Sequence, residues 1–319
     1  MKHTWAIFVS TLLVLGCALS ASAQDKTAIV LANFGTSYPQ ALHSLTNIQN
    51  KVQQAFPDAK VELAFTSNII RKIWHERQLD LDFQKAHPEI PKQILYVQGP
   101  MATIANLQDA GYRTIYVQPT HIFAGEEFQD LSAYITGLNS IKTIKKRFMP
   151  FDLLAIGRPA LGAPGDAFPY HEDIQAAAKA LADDVAVARK NGQALVYMGH
   201  GNEYFSTGSY VELQHAMREI YPDVAIFIGV VEGFPTPEVI KEELKKQHIT
   251  KVMLKPLMIV AGDHASNDMA SDEEDSWKTQ FTKMGIEVTT VLKGLGENPA
   301  WANIYVQHLQ QLMSSNGNH

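Results

Sequence analysis

Short apolar runs alternate along this chain with longer stretches whose apolar residues recur every three or four positions. Residues 28–32, 61–65, 93–97 and 114–117 read as buried strands, as do 194–198, 225–229 and 251–254. Between them, 42–56, 174–190, 210–221 and 237–248 carry the helical period. Such alternation predicts parallel sheets covered by helices on both faces, because parallel neighbours need a crossover and the crossover packs on the sheet. The predicted fold class is α/β.

The pattern also repeats. Ile29-Val30-Leu31-Ala32-Asn33-Phe34-Gly35-Thr36 is answered by Ala194-Leu195-Val196-Tyr197-Met198-Gly199-His200. Ala55-Phe56-Pro57-Asp58 is answered by Ile220-Tyr221-Pro222-Asp223, and Gln118-Pro119-Thr120-His121 through Glu127 by Lys255-Pro256-Leu257-Met258 through His264. The two Pro-Asp pairs lie 165 positions apart, and Gly35 and Gly199 lie 164 apart. Three blocks in one order at similar offsets predict two similar halves with a cleft between them. Residues 24–190 are expected to form the first lobe and 191–290 the second. Residues 291–319 are expected to be a helical segment that packs back on the first lobe.

Composition narrows the class. Of 319 residues 46% are hydrophobic and 19% charged, which fits a globular protein and excludes disorder or a coiled coil. The net charge is −6 and no basic block exceeds Lys145-Lys146-Arg147, so nucleic acid is not an expected partner. The single cysteine, Cys17, excludes a disulfide framework, a cysteine-ligated zinc site and a thiol nucleophile.

Residues 1–23 read as an export signal. Lys2 supplies positive charge, an apolar stretch from Trp5 to Leu15 follows, and Ala21-Ser22-Ala23 is a small-residue cleavage site. Periplasmic localisation is the expectation. Val14-Leu15-Gly16-Cys17 also resembles a lipoprotein site, so lipid anchoring at Cys17 is the lesser alternative. No later apolar run reaches membrane-spanning length.

Chemistry is expected where open α/β sheets place it, beyond the carboxyl ends of the strands. His200 follows the strand at 194–198, Glu232 follows the run at 225–231, and His264 follows 254–260. Two imidazoles and a carboxylate on one sheet edge suit a borderline divalent cation with open positions. Each residue has a blander reading. His200 can be a hydrogen-bonded loop residue, Glu232 can cap the helix starting near Thr236, and His264 can pair with Asp263 or Asp268. In the first half the matching positions are Thr36, Ser67 and Glu127, of which only Glu127 is ionisable. Glu127 and His121 would stand on the facing wall, although His121 reads equally well as a core residue. The remaining histidines, His308 among them, read as solvated.

Several blocks resemble the anaerobic-type sirohydrochlorin cobaltochelatases, of the class II chelatase family. They are Asn33-Phe34-Gly35-Thr36-Ser37-Tyr38, Ala64-Phe65-Thr66-Ser67 with Ile70-Arg71-Lys72, and His121-Ile122 with Gly125-Glu126-Glu127. Met198-Gly199-His200-Gly201, Val231-Glu232 and Val260-Ala261-Gly262-Asp263-His264-Ala265 continue the likeness. So do Asn267-Asp268-Met269-Ala270 and Gly294-Leu295-Gly296-Glu297-Asn298-Pro299, and it runs from about Lys26 to Leu312.

The resemblance implies two flavodoxin-like lobes around a tetrapyrrole cleft, and insertion of Co²⁺ into a precorrin-2-derived macrocycle. It implies no organic cofactor. The divalent metal is a substrate, Co²⁺ with Fe²⁺ or Ni²⁺ as alternatives, held by His200, Glu232 and His264. Glu127, His200 and His264 are the implied catalytic groups. Phe34, Gly35, Thr36, Ser67, Arg71 and His121 are the expected substrate contacts, Arg71 meeting macrocycle carboxylates. A periplasmic haem or metal carrier without catalysis, with haem held through His121, is the competing reading. A homo-oligomer is left open.

Overall fold

The computed structural model describes residues 26–165 and 167–316, so the expected signal and Cys17 lie outside the described residues. The first sheet is built from β1 (Thr27–Asn33), β2 (Lys60–Phe65), β3 (Thr114–Pro119) and β4 (Leu153–Ile156). The second comprises β5 (Ala194–Gly201), β6 (Ile226–Glu232), β7 (Lys251–Leu257) and β8 (Glu287–Thr290). Both are wholly parallel, in the orders β2-β1-β3-β4 and β6-β5-β7-β8. The second order is the first shifted by four strands, so the sequence repeat is a repeat of topology.

Crossovers in the first half run through α1 (Leu42–Ala55), α2 (Asn68–Arg77), α3 (Leu81–Ala86), α4 (Lys92–Leu95), α5 (Pro100–Asp109) and α6 (Glu126–Asn139). Next come α7 (Tyr170–Ala180), α8 (Ala182–Asn191), α9 (Gly208–Ile220), α10 (Pro237–Lys246), α11 (Trp277–Lys283) and α12 (Pro299–Asn316). No described helix is long and apolar enough to cross a membrane.

The strands are apolar on both faces, and their period of two divides the core. On β1, Ala28, Val30 and Ala32 pack with Ile104 and Leu131, while Ile29 and Leu31 point the other way. On β5, Val196 and Met198 pack with Phe227 and Phe281, while Leu195 and Tyr197 join the cluster that holds Ile29 and Leu31. That shared cluster, with Trp74, Tyr210 and Trp301 fully buried, runs through both halves.

Two crossings tie the lobes. α12 packs on α1 and β3 of the first lobe, where Tyr305 Oη donates to the Thr120 carbonyl at 2.9 Å. α7 and α8 pack on α9 and β5 of the second lobe, although they precede the expected boundary at 190. A buried strut joins the crossings. Arg158 donates twice to Asp173 on α7, at 2.6 and 2.8 Å, and His308 on α12 lies 3.1 Å from the same carboxylate. His308 is therefore buried and hydrogen-bonded to a carboxylate, not solvated as its helical context suggested; the residue that holds it lies 135 positions away.

One expected strand is helical. Residues 93–95 belong to α4 and 96–97 lead out of it, because Pro91 caps a helical turn and its carbonyl accepts from the N–H groups of Ile94 and Leu95 at 2.9 and 3.1 Å. Only Gln98 reaches the sheet, as a single bridge to Ala64. The helix expected at 174–190 is two, broken after Ala180.

Candidate active site

The carboxyl ends of the two sheets face each other across a cavity of about 380 Å³. Phe34, Gly35 and Thr36 reach it from the turn after β1, Ser67 from the start of α2, and His121 from the turn after β3. Glu127 reaches it from the first turn of α6, where a carboxylate suits the helix dipole. The second lobe contributes His200 at the end of β5 and His264 beyond β7. Glu232 ends β6 and does not line this cavity; its carboxylate stands 4.0 Å from His200 Nδ1.

Local backbone explains several placements. Gly201 has φ of 79°, and a Cβ there would lie 1.8 Å from the Glu232 carbonyl oxygen. Only glycine lets β5 pass so close to β6, which brings His200 beside Glu232. Gly35, with φ of 101°, turns the chain over the Phe65 ring, which a Cβ would meet at 2.7 Å. Across the cleft Thr36 faces Gly262, where a Cβ would come within 3.3 Å of its hydroxyl. The Ser67 hydroxyl caps α2, accepting from the Ile70 N–H at 3.3 Å.

The two second-lobe imidazoles meet edge to face, with centroids 4.8 Å apart. His200 Nδ1 lies 3.1 Å from the Gly201 carbonyl oxygen, and His264 Nδ1 lies 2.5 Å from an Asp268 carboxylate oxygen. Carbonyls and ionised carboxylates only accept, so both rings carry their proton on Nδ1 and keep the Nε2 lone pair free. Phe34 of the first lobe stands 6.4 Å from the His200 ring. Among the described residues, no three or more His, Cys, Asp or Glu side chains are preassembled around a cation position.

His121 is enclosed. Neither ring nitrogen has a hydrogen-bond partner or meaningful access to solvent, although other parts of the residue stay partly exposed. Burial pulls its pKa down to about 4, so the ring is neutral near pH 7.

Arg71 departs from expectation. Its guanidinium donates to the Phe65 and Thr66 carbonyls at 2.5 and 2.8 Å and to the Asn68 side chain, stitching the end of β2. It is thus taken up by backbone oxygens that the sheet leaves unpaired. No lysine or arginine is among the described residues lining the cavity.

Sequence reasoning passed over Tyr210 and Tyr38. Tyr210 lies beneath Gly199 and packs on Phe123 at 5.2 Å, and its helical spacing reads only as core. Tyr38 donates across the cleft to Asp263 at 2.7 Å, a contact with no local signal because the partners are 225 residues apart.

Two parallel lobes of like strand order thus turn the same ends toward each other, with a histidine pair in the cleft between them. The chain belongs to the cobalt chelatase (CbiK) family, which matches residues 27–314. It is 32% identical to the sirohydrochlorin cobaltochelatase of Salmonella typhimurium, over 91% of this chain and 97% of that one. It is 29% identical to sirohydrochlorin cobaltochelatase CbiKC of Nitratidesulfovibrio vulgaris, over 91% and 92%. The sirohydrochlorin chelatase SirB of Bacillus subtilis subspecies spizizenii, solved in complex with cobalt, shares the fold. There the TM-score is 0.56 at 12% identity, over 92% of this chain and 97% of that one.

Proposed function

We propose that this protein is a sirohydrochlorin cobaltochelatase, a lyase-class enzyme that inserts Co²⁺ into a metal-free tetrapyrrole with loss of two protons. The observation that carries the reading is the imidazole pair: two rings 4.8 Å apart, each with Nδ1 committed to a protein acceptor. Such rings offer two neutral nitrogen donors to one borderline cation, a donor set that suits Co²⁺ and also Fe²⁺ or Ni²⁺. The names of the two curated relatives support cobalt and sirohydrochlorin as the substrates.

In this reading His200 and His264 receive the cation and Glu232, near His200, completes the set. Metalation exchanges two pyrrole N–H protons for one Co²⁺. Glu127, on the facing wall, is placed to take one proton, and an imidazole released by the metal takes the other. The macrocycle lies between the walls on Phe34, Gly35, Thr36 and Ser67, with neutral His121 against it. Since no cation lines the cavity, its carboxylates face outward to water. The reading extends to export, with residues 1–23 as a signal and the enzyme working in the periplasm.

The test mixes the protein anaerobically with sirohydrochlorin and Co²⁺ and follows the macrocycle absorption. Turnover far above the uncatalysed rate, abolished in a His200→Ala, His264→Ala double variant, is expected. Equal rates in both proteins, with stoichiometric macrocycle or haem binding, would replace catalysis by carriage. Mass spectrometry of the secreted N-terminus decides cleavage after Ala23 against lipidation of Cys17.

A further inference from the structure

Beyond β7 the chain makes a π-helical turn, Ala265–Met269, with His264 at its N-terminal boundary. π-turns are rare and recur at functional sites. Two successive side-chain pairs, each four residues apart, brace this one. Asn267 Nδ2 donates to Asp263 Oδ1 at 2.8 Å, and His264 Nδ1 donates to Asp268 Oδ2 at 2.5 Å. Asp263 accepts in addition from Tyr38 of the opposite lobe, so the turn is tied across the cleft as well. His264 is the one hydrogen-bond partner of the Asp268 side chain among the described residues.

The two imidazoles are held differently. His200 Nδ1 faces a neutral carbonyl at 3.1 Å, whereas His264 Nδ1 faces a carboxylate at 2.5 Å. A carboxylate behind a ring N–H fixes its tautomer and plane, and raises the donor strength of the opposite nitrogen. We infer that Asp268 is the positioning residue of the cation site: it holds His264 in one orientation and makes His264 Nε2 the stronger of the two nitrogen donors. Cobalt is then gripped first by His264, with His200 the weaker partner from which it is passed on. The inference rests on the metal-delivery reading above and deepens it.

The test measures Co²⁺ binding to the full chain without macrocycle, by calorimetry and by the cobalt d–d absorption. Wild type is compared with Asp268→Ala, Asp268→Asn, Asp268→Glu and His264→Ala. Loss of the carboxylate in Asp268→Ala is expected to weaken Co²⁺ by about 10- to 100-fold and to alter the d–d band. Asp268→Glu is expected to restore most of the affinity. Metal-free sirohydrochlorin should bind wild type and variants alike, and in turnover the KM for Co²⁺ should rise while that for macrocycle holds. If Asp268→Ala does not fold, Asp268→Asn decides, since it keeps the shape and an acceptor oxygen but loses the charge; weaker Co²⁺ binding supports the inference and unchanged binding overturns it. Wild-type affinity in Asp268→Ala, with loss in His264→Ala, would reduce Asp268 to a turn residue and leave the metal-delivery reading standing. Unchanged affinity in His264→Ala would overturn both.

Discussion

Replacing His121 by Leu should change how stability responds to acid. The native ring is held neutral by burial, with its pKa moved from 6.5 to about 4. The unfolded chain takes up a proton as the pH falls through 6.5, while the native state does not until about pH 4. Stability is therefore fully present above 6.5 and is lost progressively down to 4, after which the loss levels off. At 1.36 kcal/mol per unit across that window, wild type should lose about 3 kcal/mol relative to the variant. Other carboxylates and histidines also titrate here, but they titrate in both proteins and cancel in the difference. Urea denaturation of wild type and His121→Leu at pH 7.5, 6, 5 and 4 measures it. A difference that stays flat across the series would refute the reasoning. It would mean that the carboxylates lining the cavity, Glu127 on the same wall or Asp263 on the facing one, offset the effect of burial on His121.

Gly201→Ala should cost about 2 kcal/mol or more, from positive φ and from the collision with the Glu232 carbonyl, and should lower turnover; equilibrium unfolding together with the cobalt assay checks it. Asp173→Ala leaves Arg158 buried without its counter-charge and should cost about 3–5 kcal/mol by the same denaturation measurement. Burial pushes the Asp173 carboxyl up, but hydrogen bonds from Arg158 and His308 more than offset this and hold it below 3.8. The strut's contribution is accordingly present above pH 3.8 and lost below it. Tyr38→Phe removes an exposed hydrogen bond and should cost no more than about 1 kcal/mol, while loosening the His264 turn enough to raise the KM for Co²⁺.

Much of this architecture was written in the apolar runs. Six of the seven expected strands form, because the strands of a parallel sheet are covered by helices on both faces and show as largely hydrophobic runs, the edge strands β2 and β6 included. Residues 93–97 carry the same signature and fail, since Pro91 starts a helical turn there and no sheet edge receives the segment. β4 and β8 escaped notice because they are four-residue edge strands, and β8 (Glu-Val-Thr-Thr) is half exposed. At the site, strand ends marked His200 and His264, since the chain must leave a parallel sheet there. Which aspartate holds His264 was not legible: Asp263 and Asp268 both lie close in sequence, and only the π-turn settles on Asp268. The roles of Arg71 and His308 depend on atoms distant along the chain or on backbone oxygens, neither of which a residue pattern displays.

The placement of α12 bears on how the molecule is made. This final helix lies against α1 and β3, and Asn47 of α1 donates to the Gly296 carbonyl at 2.6 Å. A ribosome emits the chain from the other end, so the first lobe lacks its covering helix until translation is all but complete. The shared core cannot close in stages, one lobe after the other. The nascent protein stays open along that flank for the whole of its synthesis, and the eighteen residues of α12 act as the closing stitch for its first hundred. A stop codon placed ahead of Pro299 would thus damage most the half of the protein farthest from it in sequence.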